Sequence, residues 1–297
     1  MRAAAFEIPG SPEVLKVMEV PTPQAGPGQV RVRVKAAGVQ PYDAAVRAGW
    51  VPAGVTDVLP RIPGNEFAGV VDQSDSLPVG TEVLGFTQLG AYAEYVVVPA
   101  DQVTPKPAGL AWETAGGLTA GVQTAEIAID NLAVGPQDTL LIHGASGSVG
   151  TAAVQIARMR GARVIGTGRP ENHEHLRALG AIPVAYGEGL RERLAGLGPV
   201  TVVLDAAGGE ALDLSLELVG ERKRILTLVE HGRAAELGVR VTEGVRTAER
   251  LGRYAALVAE GRFAFPVRRA YPLERAADAH REIETGHGRG KVVVVVA

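Results

Sequence analysis

Across residues 29–37 apolar and basic side chains alternate with period two, Val30, Val32 and Val34 against Arg31, Arg33 and Lys35. A strand with one buried and one wet face has this period, so an antiparallel β-strand is expected there. Shorter runs at 67–72, 82–86 and 92–99, separated by Pro-Gly, Pro-Val-Gly and Gly-Ala turn signals, make the first third mostly β. Near Trp112 the spacing becomes helical. From Thr139 the order is strand, glycine-rich turn, helix, strand, helix, as in a parallel sheet with crossover helices. Strands are expected at 139–143, 163–167, 183–185, 200–205, 223–227 and 239–241, six in all, which completes a doubly wound sheet. After Thr242 the pattern predicts an amphipathic helix through Glu260, a strand at 267–272, a helix through Glu284 and an apolar strand at 291–296 that rejoins the first domain.

Length and charge refine this picture. A chain of 297 residues exceeds what one core usually supports. The change of texture places a β-rich domain at 1–118 and 243–297 around an α/β domain at 119–242. A formal net charge of −3, with both signs scattered along the chain, gives no footprint for nucleic acid or an anionic membrane. No run approaches the length of a spanning helix and the first 20 residues lack a leader pattern, so a cytoplasmic protein is expected. There is no cysteine, which excludes disulfides, thiolate nucleophiles and cysteine-held zinc.

The segment HGASGSVG, 143–150, turns from an apolar strand into a helix. Gly144, Gly147 and Gly150 let the backbone turn sharply and approach a pyrophosphate. The amides of Ser146, Gly147, Ser148 and Val149, with the helix dipole, attract its charge. Tight strand-to-helix packing alone is the competing reading of these glycines. At the end of the second strand an NAD enzyme usually places an acid against the ribose. Here the sequence is Gly166-Thr167-Gly168-Arg169. Without a carboxylate to repel a 2′-phosphate, and with Arg169 able to bind one, the cofactor expected is NADPH, although Arg169 also suits a solvated surface. Tyr186 can lie against the adenine ribose. His173 and His175, two apart on a helix, do not share a face, so a metal pair is disfavoured. His231, after the fifth strand, can donate a proton or sit in a loop.

The pieces AAGVQPYDAAVRAG, RIPGNEFAGVV, GAYAEYVVVPADQ, HGASGSVG, VLDAAGGEAL and GRGKVVVVV occur in the order, and at about the spacing, of a known family. The chain resembles a medium-chain dehydrogenase/reductase of the zinc-free quinone oxidoreductase (zeta-crystallin-like) branch over nearly its whole length. The resemblance implies an α/β protein with a GroES-like β domain built from both ends, a Rossmann doubly wound parallel sheet domain inserted between them, and an active site in the cleft between the two. Zinc alcohol dehydrogenases of this superfamily carry cysteine and histidine where this chain has Gln40 and Asn65, and neither amide replaces a thiolate–imidazole pair.

By the same resemblance Gln40 lies near the nicotinamide and Tyr42 or Asp43 near the substrate. Tyr42, where the family has a small or aliphatic residue, either donates a hydrogen bond to a carbonyl or fills space. Thr124, Ala206, Val229 and the Gly290-Lys291 pair complete the expected cofactor set. The loop 228–232 departs from the family's glycine-rich pattern. A homodimer, paired through the edge at 239–241, is also implied.

Without a Lewis acid, the acceptor should be one whose own conjugation spreads the charge of an arriving hydride, a small hydrophobic quinone or enone. A biosynthetic enoyl or ketone reductase on the same scaffold, or a nucleotide-binding protein with little turnover, are the alternatives.

Overall fold

The computed structural model describes residues 1–296, which divide into two compact units. Met1–Ala120 and the chain from Arg246 onward form the first, and Gly121–Val245 the second. In chain order the first unit opens with β1 (Arg2–Ala5), β2 (Lys16–Glu19), β3 (Gln29–Val39), α1 (Pro41–Arg47), β4 (Glu66–Ser74), β5 (Glu82–Phe86), β6 (Tyr95–Pro99) and β7 (Val103–Pro105). The long helix α2 (Trp112–Asn131) runs from the first unit into the second. The second unit continues with β8 (Thr139–His143), α3 (Ser148–Met159), β9 (Arg163–Thr167), α4 (His173–Ala178), β10 (Ile182–Val184), α5 (Leu190–Ala195), β11 (Val202–Asp205), α6 (Glu210–Leu218), β12 (Ile225–Thr227) and α7 (His231–Leu237). The chain returns to the first unit through α8 (Ala248–Ala259), β13 (Val267–Pro272), α9 (Ala276–Glu284) and β14 (Lys291–Val295).

β3 organises the first unit. Its alternation buries Val30, Val32 and Val34, and beyond Lys35 every residue to Val39 is buried. The switch from alternating to continuous burial follows from its neighbours. Along 29–33 it pairs with β6, and along 36–39 with β14, while β4 lies on its other side throughout. Register shifts at Arg31/Val32 and Val34/Ala36 absorb the change. The sheet order is β13-β14-β3-β4-β5-β7, with β6 on β3, and β1 and β2 form a separate pair. The C-terminal strand does rejoin the first domain, since Val292 pairs with Val39 and Val295 with Ala36.

The second unit has a parallel sheet in the order β10-β9-β8-β11-β12. The chain runs outward from β8 on one side and then crosses to the other, so strand order reverses at β8 and β11, whose ends pair as His143 with Asp205. Ligands bind at such a reversal, beyond the carboxyl ends of the strands. Pro183, lacking an N–H, is tolerated because β10 is an outer strand.

One expectation needs correction. The sheet has five strands rather than six, because 239–241 contributes only a parallel bridge of Arg240 to Leu226. Two hydrogen bonds hold it, Arg240 N to Ile225 O at 2.8 Å and Thr227 N to Arg240 O at 2.9 Å. Beyond them Glu243 is tied to the Asn131 side chain, which draws the chain off the sheet. The expected dimer edge at 239–241 is therefore not a strand. The first third is mostly β, as expected, and carries one short helix, α1, in which Pro41 stands in the first turn and the Asp43 carboxylate accepts from Gln40 N at 3.0 Å. Among the described residues no helix is long and apolar enough to cross a membrane.

Candidate functional site

The second unit carries the glycine turn. Gly144 leaves β8 with φ +72°, and a Cβ on Gly150 would lie 2.4 Å from Gly144 O, so only glycine lets the first turn of α3 close onto the loop. Gly147 is the N-cap of α3, no side chain caps that end, and the first turn holds no acidic residue. Gly147 N donates to Gly144 O at 3.1 Å, while Ser148 and Val149, the first residues of α3, are partly exposed, and helix-terminal amides open in this way attract phosphate. Ser146 is nearly buried, and its Oγ accepts from Asn172 Nδ2 at 3.3 Å.

Thr167 is buried. Its hydroxyl accepts from Gly144 N at 3.3 Å and meets His143 Nδ1 at 3.4 Å, so it braces the turn from behind. Arg169 and Tyr186 come together on the surface, Arg169 Nε donating to the Tyr186 hydroxyl at 3.0 Å, with the Glu171 carboxylate 3.8 Å from the guanidinium. Ala206 follows β11 and donates to His143 O at 3.2 Å. Asp205 fixes the next turn by accepting from Ala207 N and Gly208 N at 2.9 and 2.8 Å. Val229 is 48% exposed beyond β12, Thr124 is half-buried on α2, and His231 is an exposed first residue of α7. His173 Nε2 and His175 Nε2 meet Gly168 O and the Thr151 hydroxyl at 3.2 and 3.3 Å, so the two rings serve separate local contacts. The sequence pattern did not single out His143. Its Nε2 lies 3.1 Å from Ser215 Oγ, and burial pulls its pKa down to about 4 against the opposing charge of Asp205, so it is a neutral bridge near pH 7.

The first unit gathers Gln40, Tyr42 and Asp43 with residues distant in sequence. Gln40 Nε2 donates to Asn65 Oδ1, and Gln40 Oε1 accepts from Lys291 Nζ at 2.5 Å. The Lys291 ammonium also lies 2.6 Å from Glu66 Oε1, and Glu66 Oε2 accepts from Ala120 N at 2.6 Å. Lys291 is 2% and Glu66 0% exposed, so the pair is internal. Gly290, also buried, precedes it with φ +76°.

Asp43 is fully buried. It accepts from Gln40 N, from Gly64 N at 3.1 Å and from the Tyr92 hydroxyl at 3.2 Å. Burial pushes its pKa up to about 7, the Lys291 charge opposing. Tyr42 is half-buried, its ring edge-on to Trp50 with centroids 5.2 Å apart. Burial and the Asp43 charge raise its phenol to about 12, so it stays protonated and able to donate. Arg246 Nη1 donates to Asn65 O at 3.3 Å. Neither Glu66 nor Arg246 was expected from the sequence. A glutamate inside the apolar strand pattern of RIPGNEF was a signal for the first, while Arg246 sits in a polar loop and gave none.

Zinc does not fit this set. Gln40 and Asn65 are neutral amides bonded to each other, and a cation already lies 2.5 Å from the Gln40 oxygen. Among the described residues no three His, Cys, Asp or Glu side chains gather to hold a metal. A pyridine dinucleotide does fit the second unit, where the tight Gly144–Gly150 contact shapes a turn with open helix-end amides above it.

Comparison with known proteins bears on both units. Residues 26–108 match the family model described as an alcohol dehydrogenase GroES-like domain, and 179–294 match that of a zinc-binding dehydrogenase. The fold superposes on the quinone oxidoreductase of Coxiella burnetii with a TM-score of 0.89 and 30% identity, covering 100% of this chain and 99% of that one. It superposes on the Escherichia coli quinone oxidoreductase complexed with NADPH with a TM-score of 0.83 and 26% identity, covering 99% and 100%. The chain is also 32% identical, over 98% of its length, to a segment of the polyketide synthase GfsB of Streptomyces halstedii, of which it spans 6%.

Proposed function

The chain belongs to the medium-chain dehydrogenase/reductase family, on its quinone oxidoreductase-like branch, and from that premise we propose that it is an NADPH-dependent reductase of quinones or other conjugated carbonyls. As a member of that family it is a pyridine-nucleotide-dependent oxidoreductase; NADPH and the conjugated acceptor are the proposed part.

The observation that carries the acceptor class is the internal bonding of Gln40. With Asn65 on its nitrogen and Lys291 on its oxygen, no ligand set remains for a Lewis acid. An unactivated alcohol or ketone needs such polarisation, whereas a quinone or enone spreads the charge itself.

When bound, the reduced nicotinamide supplies the hydride. The residues proposed to hold the cofactor are Gly144, Ser146, Gly147, Ser148, Val149 and Gly150 at the pyrophosphate, Thr167 behind them, and Arg169 with Tyr186 at the adenosine end. Thr124, Ala206, Val229, Gly290 and Gln40 belong to the nicotinamide end of the same proposal. Arg169 favours NADPH over NADH, since no acid stands at the last residues of β9 itself, and a 2′-phosphate would take the guanidinium from Glu171, whose carboxylate lies 3.8 Å away. Lys291, turned inward, acts by holding Gln40 rather than by touching phosphate. Asp43 positions Gln40 and the Gly64 backbone, and Tyr42 offers a protonated hydroxyl.

The test is fluorescence titration with NADPH and NADH, followed by the loss of 340 nm absorbance against 1,4-benzoquinone, 9,10-phenanthrenequinone and simple enones, with and without chelator. NADPH-selective turnover that survives the chelator is the expected result, and turnover abolished by the chelator would refute the reading. The likeness to a polyketide synthase segment favours a second reading, reduction of an enoyl thioester. Faster turnover of an enoyl thioester than of any quinone would select it.

A further inference from the structure

The turns that follow β11 and β12 are tied to each other through one buried carboxylate. Asp205, the last residue of β11, accepts three hydrogen bonds, from Ala207 N at 2.9 Å, Gly208 N at 2.8 Å and the Thr227 hydroxyl at 2.8 Å. Thr227 ends β12 and is itself fully buried. Its single hydroxyl proton goes to Asp205, which leaves the lone pairs of its oxygen for backbone donors. Val229 N and Glu230 N take them at 3.3 and 3.1 Å. The Asp205–Thr227 pair therefore fixes two amides in each turn. Register between the two strands ends at this pair, so the bonds beyond it shape the turns rather than the sheet.

A second link runs back from the later turn to the earlier one. Glu230 Oε1 accepts from Gly209 N at 2.8 Å, and the Arg233 guanidinium lies 3.7 Å from the same oxygen. The two turns also touch. A Cβ on Gly208 would lie 2.9 Å from Glu230 Oε1 and 3.0 Å from Val229 Cγ2, and Gly208 has φ +72°, so glycine is what admits this approach. The earlier turn meets the glycine-rich one as well, since a Cβ on Gly144 would lie 3.1 Å from Ala206 O. Their place in the fold gives these turns a task. A dinucleotide crosses the sheet at the reversal of strand order, its pyrophosphate on the turn after β8 and its adenosine towards β9. Its other half then extends over the carboxyl ends of β11 and β12, where these amides are held.

We propose that Thr227 is a positioning residue for the nicotinamide half of the cofactor: with Asp205 it holds the turns 206–209 and 228–230 in the shape that this half binds, before the cofactor arrives. This rests on the functional reading above, which assigns Ala206 and Val229 to the nicotinamide end. Turns already held in their bound shape spare the cofactor the cost of ordering them, and a ring seated on fixed turns keeps its reactive carbon aligned for transfer. Without the Thr227 hydroxyl, Val229 N and Glu230 N lose their acceptor and Asp205 loses one of its three donors. The turns can then shift, and the loss falls on the nicotinamide half while the pyrophosphate turn and the adenosine side keep their own contacts.

The experiment measures the binding of two ligands by titration calorimetry, NADPH and adenosine 2′,5′-bisphosphate, which carries the adenosine end and no nicotinamide. Full-length wild type is compared with Thr227→Val, which removes the hydroxyl and keeps the shape, and with Thr227→Ser, which keeps the hydroxyl. Melting temperatures show that each variant is folded. Thr227→Val should weaken NADPH about fivefold or more and leave the bisphosphate within about twofold of wild type. Its kcat on the best conjugated acceptor should fall roughly tenfold or more. Thr227→Ser should restore both the NADPH affinity and the rate. If Thr227→Val does not fold, Glu230→Ala, which cuts the other link at a partly exposed side chain, should show the same split between the two ligands. Equal losses for the two ligands in a folded variant overturn the proposal, because they mark a general loosening. A wild type that binds no NADPH overturns the functional reading and this inference with it, whereas a wild type that binds NADPH and is matched by its folded variant overturns this inference alone.

Discussion

Lys291 Nζ lies 2.5 Å from Gln40 Oε1, and this contact decides which way the Gln40 amide faces. With the oxygen drawn to the ammonium, the nitrogen turns to Asn65 Oδ1. The same ammonium neutralises Glu66, so one buried cation both orients an amide and answers a buried carboxylate. Removing it alone should be severe. Lys291→Met leaves the buried Glu66 without its cation, and is expected to lower unfolding free energy by about 3–5 kcal/mol in urea denaturation. Adding Glu66→Gln should recover a large part of that loss, which a double-mutant cycle measures. Additive losses would mean that the pair is not coupled.

The proposed preference for NADPH is tested at the Arg169–Tyr186 contact. Arg169→Gln removes the cation available to a 2′-phosphate, so NADPH affinity should fall roughly tenfold or more while NADH affinity holds within twofold. Parallel fluorescence titrations give the ratio.

Gly147 separates helix capping from phosphate binding. Its backbone is extended, and a Cβ there meets only Gly144 O at 3.5 Å, so a side chain is tolerated. Gly147→Asp should cap α3 and leave the melting temperature unchanged or slightly higher. It should also place a negative charge where a pyrophosphate would lie and abolish dinucleotide binding. Retained affinity would argue against the turn as the phosphate site.

His280 sets an acid limit on the first unit. It is fully buried on α9, edge-on to Tyr92 at 5.8 Å, with neither ring nitrogen hydrogen-bonded. Burial first, and the Arg47 charge second, lower its pKa to about 3. The unfolded chain protonates this ring below about 6.5 while the folded protein resists, so stability present above that pH is lost progressively as pH falls towards 3. Between pH 7.5 and pH 5 the loss from this residue is about 2 kcal/mol. His280→Phe should therefore narrow the gap between melting temperatures at the two pH values. Asp43 works in the opposite sense, because its raised pKa favours the folded state at low pH and that contribution fades as pH rises towards 7.

Much of the architecture was legible without coordinates. The alternation around Val30, Val32 and Val34 is a local consequence of pleating, and the strand–glycine–helix order around Gly144, Gly147 and Gly150 is a local consequence of turn geometry. Where the reading failed or was silent, the deciding forces were not local. The short helix α1 rests on a proline and an Asp43 cap whose other partners, Gly64 and Tyr92, come from elsewhere in the first unit. The expected sixth strand dwindled to a bridge because Asn131, 112 residues away, holds Glu243.

By itself the sequence determined the two-part α/β plan, the strand–glycine–helix turn at 143–150, and the absence of a cysteine–histidine pair at Gln40 and Asn65. These depend on periodicity, glycine sterics and residue chemistry, all of which act over a few positions. Only the tertiary structure decided that Lys291 faces inward onto Gln40, 251 residues away, and that Arg246 reaches Asn65 across 181 residues. A single charged residue carries no period, and its partner is chosen by which strands the chain brings side by side.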